Sequence, residues 1–286
     1  LLPHLGAEQG KKPLSEAIPG ETLNILLGSR PLGDDEDSDR VKMQVLKRLY
    51  DKYGITEADF ASAELETVPA VNATDIGLDA SLIGAYGHDD RVCGFAALQA
   101  LLDIGTPEKT AVCVLADKEE IGSMGVTGMQ SAAFDTFMND LCDSQNVALR
   151  VCYENAFCLS ADVTAAYDPN FADVYEKRNA SFLNHGVGLC KYTGARGKSG
   201  SSDADAETVG YVRGVLDKAG IRWQLCEMGK IDAGGGGTVA QFMANRNITT
   251  LDAGVPVLSM HAPFEVVAKL DCYEMYRACK ALYEAL

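Results

Sequence analysis

The chain contains 286 residues, of which 47% are hydrophobic, and it carries a formal net charge of −16. That length and apolar content suffice for a sizeable core in one large domain, with a smaller domain beside it. The negative charge argues against nucleic acids and anionic membrane surfaces as partners, and no apolar run reaches the length of a membrane-spanning helix.

The cysteines indicate the compartment. There are nine of them, an odd number, and none forms a CxxC pair or the spacing of a zinc ribbon. Cysteines scattered in this way are typical of reduced thiols inside an intracellular protein. Because the sequence also lacks a signal-peptide pattern at its start, we predict a cytoplasmic location.

In chain order, the first 80 residues contain few strong structural signals. A polar, acidic, exposed loop is expected from Gly28 to Arg40, followed by a charged helix from Val41 to Tyr53 with apolar residues on one face. A short strand is expected from Ala63 to Val68. We predict that residues 1–80 belong to the smaller domain.

After residue 80, strand-like and helix-like segments alternate, which is typical of an α/β domain. We assign residues 81–286 to this second domain. The predicted helices are Asp90–Asp103, Thr127–Cys142, Ala204–Lys218, Thr238–Asn245 and Asp271–Ala285, and the predicted strands are Thr110–Ala116, Gly188–Tyr192, Arg222–Glu227 and Pro256–Met260.

Two adjacent acids, Glu119 and Glu120, follow the apolar run at 111–116 and precede a glycine-containing turn. Carboxyl groups at the end of a strand in an α/β sheet lie where such folds bind ligands. Neighbouring carboxylates repel each other when both are ionised, so the pair needs a cation or a shared proton. Taken alone, the pair is most typical of a solvated turn, and a metal ligand beside a proton-transferring acid is the functional alternative.

Three other potential ligands also lie at the predicted ends of elements. Asp89 precedes the predicted helix at 90–103, Asp162 follows a largely apolar stretch, and His261 follows the predicted strand at 256–260. Each alone has an ordinary structural explanation. Together with the two glutamates they form an oxygen-rich set with one histidine, which suits zinc, cobalt or manganese.

Several colinear motifs resemble the family of aspartyl aminopeptidase and vacuolar aminopeptidase I, which are co-catalytic metallo-exopeptidases. The resemblance extends from residue 86 to the C-terminus, and the first third of the chain matches more loosely. The motifs are HDDRVCGFAAL (88–98), DKEEIGS (117–123), SADV (160–163) with DPNF (168–171), KYTGARG (191–197), GGGGTVA (234–240) and LSMHAPFE (258–265).

The resemblance implies a fold, an activity and an assembly. The fold would be α/β, with a mixed sheet flanked by helices as in zinc exopeptidases. Residues 1–80 would be part of an inserted domain that pairs subunits into a homo-oligomer, including large closed assemblies. The activity would be the removal of N-terminal residues from short peptides by a water molecule that metal ions activate.

The resemblance also implies roles for the candidate ligands. Asp89 would bridge two divalent metal ions, with zinc as the expected metal and cobalt or manganese as alternatives. Glu120 and His261 would complete the first site, and Asp162 would belong to the second. Glu119 would be the general base that removes a proton from the attacking water.

Two further motifs would contact the substrate. Lys191, in a basic glycine-rich segment, would meet a substrate carboxylate or side chain, and a flexible surface loop is the alternative interpretation. Gly236 lies in a four-glycine run, where the missing side chains let the backbone approach a ligand closely. The run lacks the lysine of a P-loop, so nucleotide binding is not expected.

Two departures from the family pattern modify these expectations. The family supplies a second histidine ligand from a His-x-Asp motif, which none of the four histidines here provides. We therefore interpret the chain as the C-terminal part of a longer protein, with the second metal site one ligand short in this segment. Glu8 and Ala165 stand where family members have histidines, so a neutral or broad specificity is expected rather than a strictly acidic one.

Two other classes of function stay open on the sequence alone. One is a different di-metal amidohydrolase, such as a deacylase, which uses the same ligand chemistry. The other is a non-catalytic assembly subunit, which the missing histidine would favour.

Overall fold

The structure, a computed structural model, describes residues 1–33, 39–196 and 199–285. It divides into two compact units, Leu1–Thr67 and Val68–Leu286, which we call the N-terminal and C-terminal units. This division falls before the predicted boundary at 80/81. Residues 68–80 belong to the C-terminal unit because they contain a strand, Thr74–Ile76, that pairs within one of its sheets. The expected loop at 28–40 and the motif at 191–197 lie partly outside the described residues.

The N-terminal unit contains three α-helices, α1 (Leu14–Ala17), α2 (Arg40–Tyr53) and α3 (Glu57–Phe60), within its described residues, and two 3-10 helices, Gln9–Lys11 and Gly20–Thr22. Helix α2 agrees with the prediction and ends at Gly54, which adopts a left-handed conformation and donates its N–H to the Tyr50 carbonyl. This is a usual way for a helix to end at glycine. The strand expected from Ala63 to Val68 is wrong, since these residues have no strand pairing.

The C-terminal unit has the predicted mixed α/β architecture, with strands in two sheets and helices beside them. Its strands are β1 (Thr74–Ile76), β2 (Leu82–Ala85), β3 (Phe157–Ala161), β4 (Thr164–Ala165), β5 (Val187–Cys190), β6 (Trp223–Leu225), β7 (Thr249–Gly254), β8 (Pro256–Leu258) and β9 (Glu265–Ala268). Its helices are α4 (His88–Asp103), α5 (Ala133–Ser144), α6 (Leu149–Glu154), α7 (Ala206–Lys218), α8 (Ala240–Ala244) and α9 (Lys269–Ala285).

Both sheets combine parallel and antiparallel neighbours. One has the strand order β1-β2-β9-β8-β4 and the other has the order β3-β7-β5-β6. The parallel pairs are β3 with β7, β4 with β8 and β5 with β6, and the remaining pairs are antiparallel. Strand β7 is buried over almost its whole length, as expected of a central strand with both faces covered.

The main core of the C-terminal unit lies where α4 and α9 pack together and against the sheets. Its apolar strands and the small residues of α4 allow close helix packing, and burial of their side chains is the main driving force for folding. Buried members include Cys93, Ala96, Ala100, Val187, Leu189, Leu251, Ala253, Met275 and Leu282.

Two predicted elements of the C-terminal unit differ from the structure. The strand expected at Thr110–Ala116 is wrong, because no described strand pairs with it, and Leu115 is 63% exposed. The helix expected from Thr127 begins only at Ala133, because the preceding chain folds back on Ser123. A Cβ atom on Gly128 would lie 2.2 Å from the Ser123 carbonyl oxygen, so this turn needs glycine. Among the described residues, none of the helices combines the length and the hydrophobicity that a membrane span requires.

Candidate metal centre and adjoining cleft

Three predicted ligands, Asp89, Glu120 and His261, converge at one place in the C-terminal unit. One ligand atom from each lies within 4.8 Å of the others. His261 Nε2 is 3.0 Å from Asp89 Oδ2 and 3.2 Å from Glu120 Oε2. The fold brings these residues together from the start of α4, from a one-turn 3-10 helix at 119–121 and from the turn after β8.

The two turns that present Glu120 and His261 use unusual backbone conformations. Lys118, directly before the 3-10 turn, has φ 63°, and His261 itself has φ 65°. A left-handed conformation costs about 1–2 kcal/mol for a residue with a Cβ. Such conformations persist where the surrounding contacts hold them, and they are frequent at functional sites.

Glu265 holds two of the converging residues through their backbones. Its Oε1 accepts the N–H of His261 at 2.8 Å, and its Oε2 accepts the N–H of Asp89 at 3.0 Å. The side chain is 2% exposed, so few other positions are open to it. Glu265 was not among the predicted site residues, although a charged residue at the start of the apolar strand β9 is unusual enough to suggest a specific role.

The electrostatics of Asp89 show that the centre contains more negative charge than the protein stabilises. Burial and, next, repulsion from the nearby Glu120 carboxylate together raise the pKa of Asp89 to about 7. A divalent cation would remove both penalties, because it replaces lost solvation and neutralises the repulsion. Two carboxylates and one imidazole are a donor set that fits zinc with an open coordination position.

Glu119 is adjacent to the centre and is half-buried. Burial raises its pKa above the usual value for glutamate, and the Glu120 carboxylate adds to this effect. A carboxyl group with a raised pKa is better matched to accepting and returning a proton near neutral pH.

Asp162 lies near this centre but outside the converging set. Its Oδ1 accepts the N–H of Val163 at 2.7 Å. Burial raises its pKa well above the usual value, and repulsion from Asp89 contributes next. The structure therefore places Asp162 within electrostatic range of Asp89, while the converging ligand set of the described residues consists of Asp89, Glu120 and His261.

A cleft that opens to solvent has Asp162 in its wall. Gly236 is part of its wall, together with the neighbouring Gly235. A Cβ atom on Gly235 would lie 2.2 Å from the carbonyl oxygen of Gly194. Glycine is needed here because the backbones of the two glycine-rich segments contact each other, with the Gly194 N–H donating to the Gly236 carbonyl at 2.8 Å.

Asp252 on β7 fixes the end of the glycine run. The Thr238 hydroxyl donates to Asp252 Oδ1 at 2.6 Å, and both residues line the cleft. Burial raises the pKa of Asp252 to about 6, while the hydrogen bond from the Thr238 hydroxyl opposes the rise. No sequence pattern identifies this residue, since one aspartate in an apolar strand has no defined partner until the fold is known.

Lys191 and His88 have local partners. Lys191 forms an ion pair with Asp203, and its side chain is 44% exposed. His88 Nε2 lies 3.2 Å from the Ile83 carbonyl oxygen, so its ring interacts with the backbone. The structure therefore gives neither residue a direct contact with the converging ligands.

Comparison with known proteins gives one family. The model of the family described as aminopeptidase I zinc metalloprotease (M18) matches residues 1–283. A probable M18 family aminopeptidase 1 from Clostridium acetobutylicum is 47% identical over 278 residues, which are 96% of this chain and 60% of that protein. The chain spans only about three fifths of the length of the curated relatives it matches.

Solved structures agree in fold. The crystal structure of an M18 family aminopeptidase from Thermotoga maritima has a TM-score of 0.95 and 45% identity, covering 100% of this chain and 64% of that one. The structure of the S. cerevisiae mApe1 dodecamer has a TM-score of 0.66 at 23% identity, covering 84% of this chain and 54% of that one, and indicates a common fold alone.

Proposed function

Because the chain belongs to the M18 family of aminopeptidase I zinc metalloproteases, we propose that it removes N-terminal residues from short peptides by metal-dependent hydrolysis. The observation that carries this proposal is the convergence of Asp89, Glu120 and His261. A buried carboxyl with a pKa of about 7, an exposed carboxyl and an imidazole are poorly stable together without a cation.

We propose two divalent ions, with zinc as the principal candidate and cobalt or manganese as alternatives. Asp89, Glu120 and His261 would hold the first, and Asp89 with Asp162 would contribute to the second. Bound ions would polarise the peptide carbonyl and lower the pKa of a water molecule. Glu265 would keep Asp89 and His261 in position through their backbone N–H groups.

Glu119 would act as the general base and then as the general acid. Its half-buried carboxylate would take a proton from the attacking water and return it to the leaving amine. A carboxyl with a raised pKa is suited to both steps near neutral pH. The backbone around Gly236 would form the wall that the N-terminal residue of the peptide contacts.

We propose a neutral or broad specificity rather than a strictly acidic one. The charge of Lys191 is offset by its ion pair with Asp203, so Lys191 would attract a substrate carboxylate only weakly. The cleft itself contains the carboxyl groups of Asp162, Glu227 and Asp252, which would repel an acidic side chain.

We also propose a homo-oligomer with a cytoplasmic location. The N-terminal unit exposes several leucines, including Leu14 and Leu26 at 90% and 87%, and such apolar surface is typical of contacts between subunits. In the assembly, His4 and Glu8 would approach the catalytic centre of a neighbouring subunit. All nine cysteines are free, which suits a reducing compartment.

The test compares the protein with a His261→Ala variant after loading with zinc. The unaltered protein should bind zinc and release nitroaniline from aminoacyl-p-nitroanilides, and the variant should lose both properties. His185→Ala, which removes an exposed histidine outside the centre, is the matched control. Hydrolysis of N-acetyl amino acids in place of the nitroanilides would indicate a deacylase. A protein that binds no zinc and hydrolyses neither class of substrate would indicate an assembly subunit.

A further inference from the structure

One wall of the cleft contains a carboxyl group that the proposed mechanism does not use, that of Glu227. The described residues that line the cleft supply three carboxyl groups, from Asp162, Glu227 and Asp252, and include no lysine, arginine or histidine. The cleft is therefore electronegative along a wall that begins beside the candidate metal centre.

Two of the three carboxyl groups already have other partners. Asp162 accepts the N–H of Val163 and lies close to Asp89, and Asp252 accepts the hydroxyl of Thr238. Glu227 differs, because within the described residues its carboxylate accepts no hydrogen bond. Its backbone is nevertheless fixed, since the Glu227 N–H donates to the Asn179 carbonyl at 2.6 Å.

The cation that acts on Glu227 is already engaged. Lys191 forms an ion pair with Asp203, and these two residues act on Glu227 in opposite directions. Burial and the Asp203 carboxylate raise the pKa of Glu227 and Lys191 lowers it, with a net rise to about 7. Because Lys191 is paired with Asp203, the half-buried Glu227 carboxylate has no cation of its own. A positively charged group of a ligand would supply one.

The surroundings of Glu227 also suit a long aliphatic chain. Met228, the next residue, lines the same cleft, and its Sδ lies 3.5 Å from the position of a Cβ on Gly236. The thioether is an apolar surface that can pack against methylene groups, and the missing side chain of glycine leaves space beside it. Lysine and arginine bury such methylene stems while their charged ends reach a polar partner.

We propose that Glu227 is a specificity-determining residue that favours ligands with a positively charged side chain, such as an N-terminal lysine or arginine. This inference rests on the proposed function and narrows it, since the cleft would receive the side chain of the residue to be removed. A charge-assisted hydrogen bond in a half-buried place should favour a cationic side chain roughly tenfold over a neutral one of equal length.

The test measures binding and does not depend on turnover. The dissociation constants of L-lysinamide, L-norleucinamide and L-glutamic acid 1-amide are measured on the zinc-loaded protein at pH 8 by calorimetry. The side chains of lysine and norleucine have the same four-carbon chain, so the ratio of the two dissociation constants isolates the effect of the terminal ammonium group. Lysinamide should bind roughly tenfold more tightly than norleucinamide, and glutamic acid amide should bind most weakly.

Variants of Glu227 complete the test. Glu227→Gln should bring the lysine-to-norleucine ratio close to one, and Glu227→Lys should make glutamic acid amide the preferred ligand. Glu154→Gln, which removes an exposed charge of the same unit away from the cleft, should keep the original ratio. The unfolding temperature of each variant shows whether it is folded, and the reversal by Glu227→Lys cannot result from misfolding.

The outcomes separate this inference from the proposed function. Equal binding of the two amides, a ratio unchanged in Glu227→Gln, or no binding of either at millimolar concentration would overturn it. Binding of the amides with the expected ratio, but without hydrolysis of lysyl-p-nitroanilide, would support the role of Glu227 in recognising a cationic side chain and contradict the aminopeptidase activity. Hydrolysis of leucyl and lysyl substrates with equal kcat/KM would support the aminopeptidase activity and contradict the preference for a cationic side chain.

Discussion

The two units of the chain differ most in how their residues are buried. Within the described residues of the N-terminal unit none is buried, although it contains the 14-residue helix α2. The C-terminal unit instead has a core in which Val187, Val255 and Met275 are fully buried. A helix of this length is only marginally stable in water without packing. The same helical sequence pattern is therefore stabilised by a buried core in the C-terminal unit and lacks such a core in the N-terminal unit.

The acidic residues show the same contrast. In the N-terminal unit, exposed Asp59 has its pKa lowered, because the backbone N–H and hydroxyl of Thr56 donate to it. In the C-terminal unit, Asp89, Asp162 and Asp252 have their pKa values raised, chiefly by burial. The exposed Asp59 therefore serves local structure, whereas the burial of the other three acids costs free energy that a ligand or cation can recover.

The largest expected difference between the units is in hydrogen exchange. In the monomeric chain, amides of α2 should exchange roughly 10³-fold faster, or more, than those of β7 and α9, because the N-terminal unit has little buried surface to lose on opening. Mass spectrometry at sub-micromolar protein concentration measures this difference. Equal protection in both units would mean that another surface, such as a second copy, covers the N-terminal one.

The next largest effect is expected at the candidate general base. Glu119→Gln should reduce turnover about 10²–10⁴-fold and leave the zinc content largely unchanged, since an amide cannot accept the proton. Assays of zinc-loaded protein with aminoacyl-p-nitroanilides measure it. Glu16→Gln, at an exposed position of the N-terminal unit, should leave turnover unchanged. Near-normal activity of Glu119→Gln would show that the roles of Glu119 and Glu120 are exchanged.

A pH effect is expected from Asp252. Its pKa rises from 3.8 to about 6 on folding, so the folded state keeps a proton that the unfolded state has released. Protonated Asp252 therefore contributes up to roughly 3 kcal/mol to the free energy of unfolding. This contribution is fully present below about pH 4 and is lost as the pH rises to about 6. Urea unfolding across this range should show a weaker fall in stability for Asp252→Asn than for the unaltered protein. Identical pH slopes would contradict the assignment.

A smaller effect is expected from Glu265. Glu265→Gln should weaken zinc binding about 10–100-fold, because an amide group would present one donor to the N–H of Asp89 or His261 in place of an acceptor. Competition with a fluorescent chelator measures the zinc affinity. Unchanged affinity would show that the backbone positions of the ligands do not depend on this carboxylate. The exposed Glu154→Gln again serves as control.

The smallest expected effect compares two helix caps. Asp205→Ala removes the side chain that accepts the Thr208 N–H at the start of α7, and it should lower the unfolding temperature by about 2–4 °C. Thr56→Ala disrupts the capping box of α3 and should shift it by about 1 °C or less. Differential scanning calorimetry measures the unfolding temperature of both variants. An equal loss in both variants would mean that the two units unfold cooperatively.

The sequence by itself determined the class of the fold and the candidate residues of the centre. The α/β alternation and the colinear motifs lead to the correct family, and Asp89, Glu120 and His261 were candidates from their positions at predicted ends of elements. Such signals are local, since periodicity and turn residues depend on the backbone geometry of a few neighbouring positions.

Only the tertiary structure decided which of these side chains meet and what holds them. Glu265 and Asp89 are 176 positions apart, and no local pattern records a hydrogen bond over that separation. The apolar run at 110–116 predicted a strand, yet a strand also needs a paired neighbour. The ion pair between Lys191 and Asp203 likewise exists only in the folded chain. Pairing, burial and charge balance are properties of the packed chain, because each depends on which distant residues become neighbours.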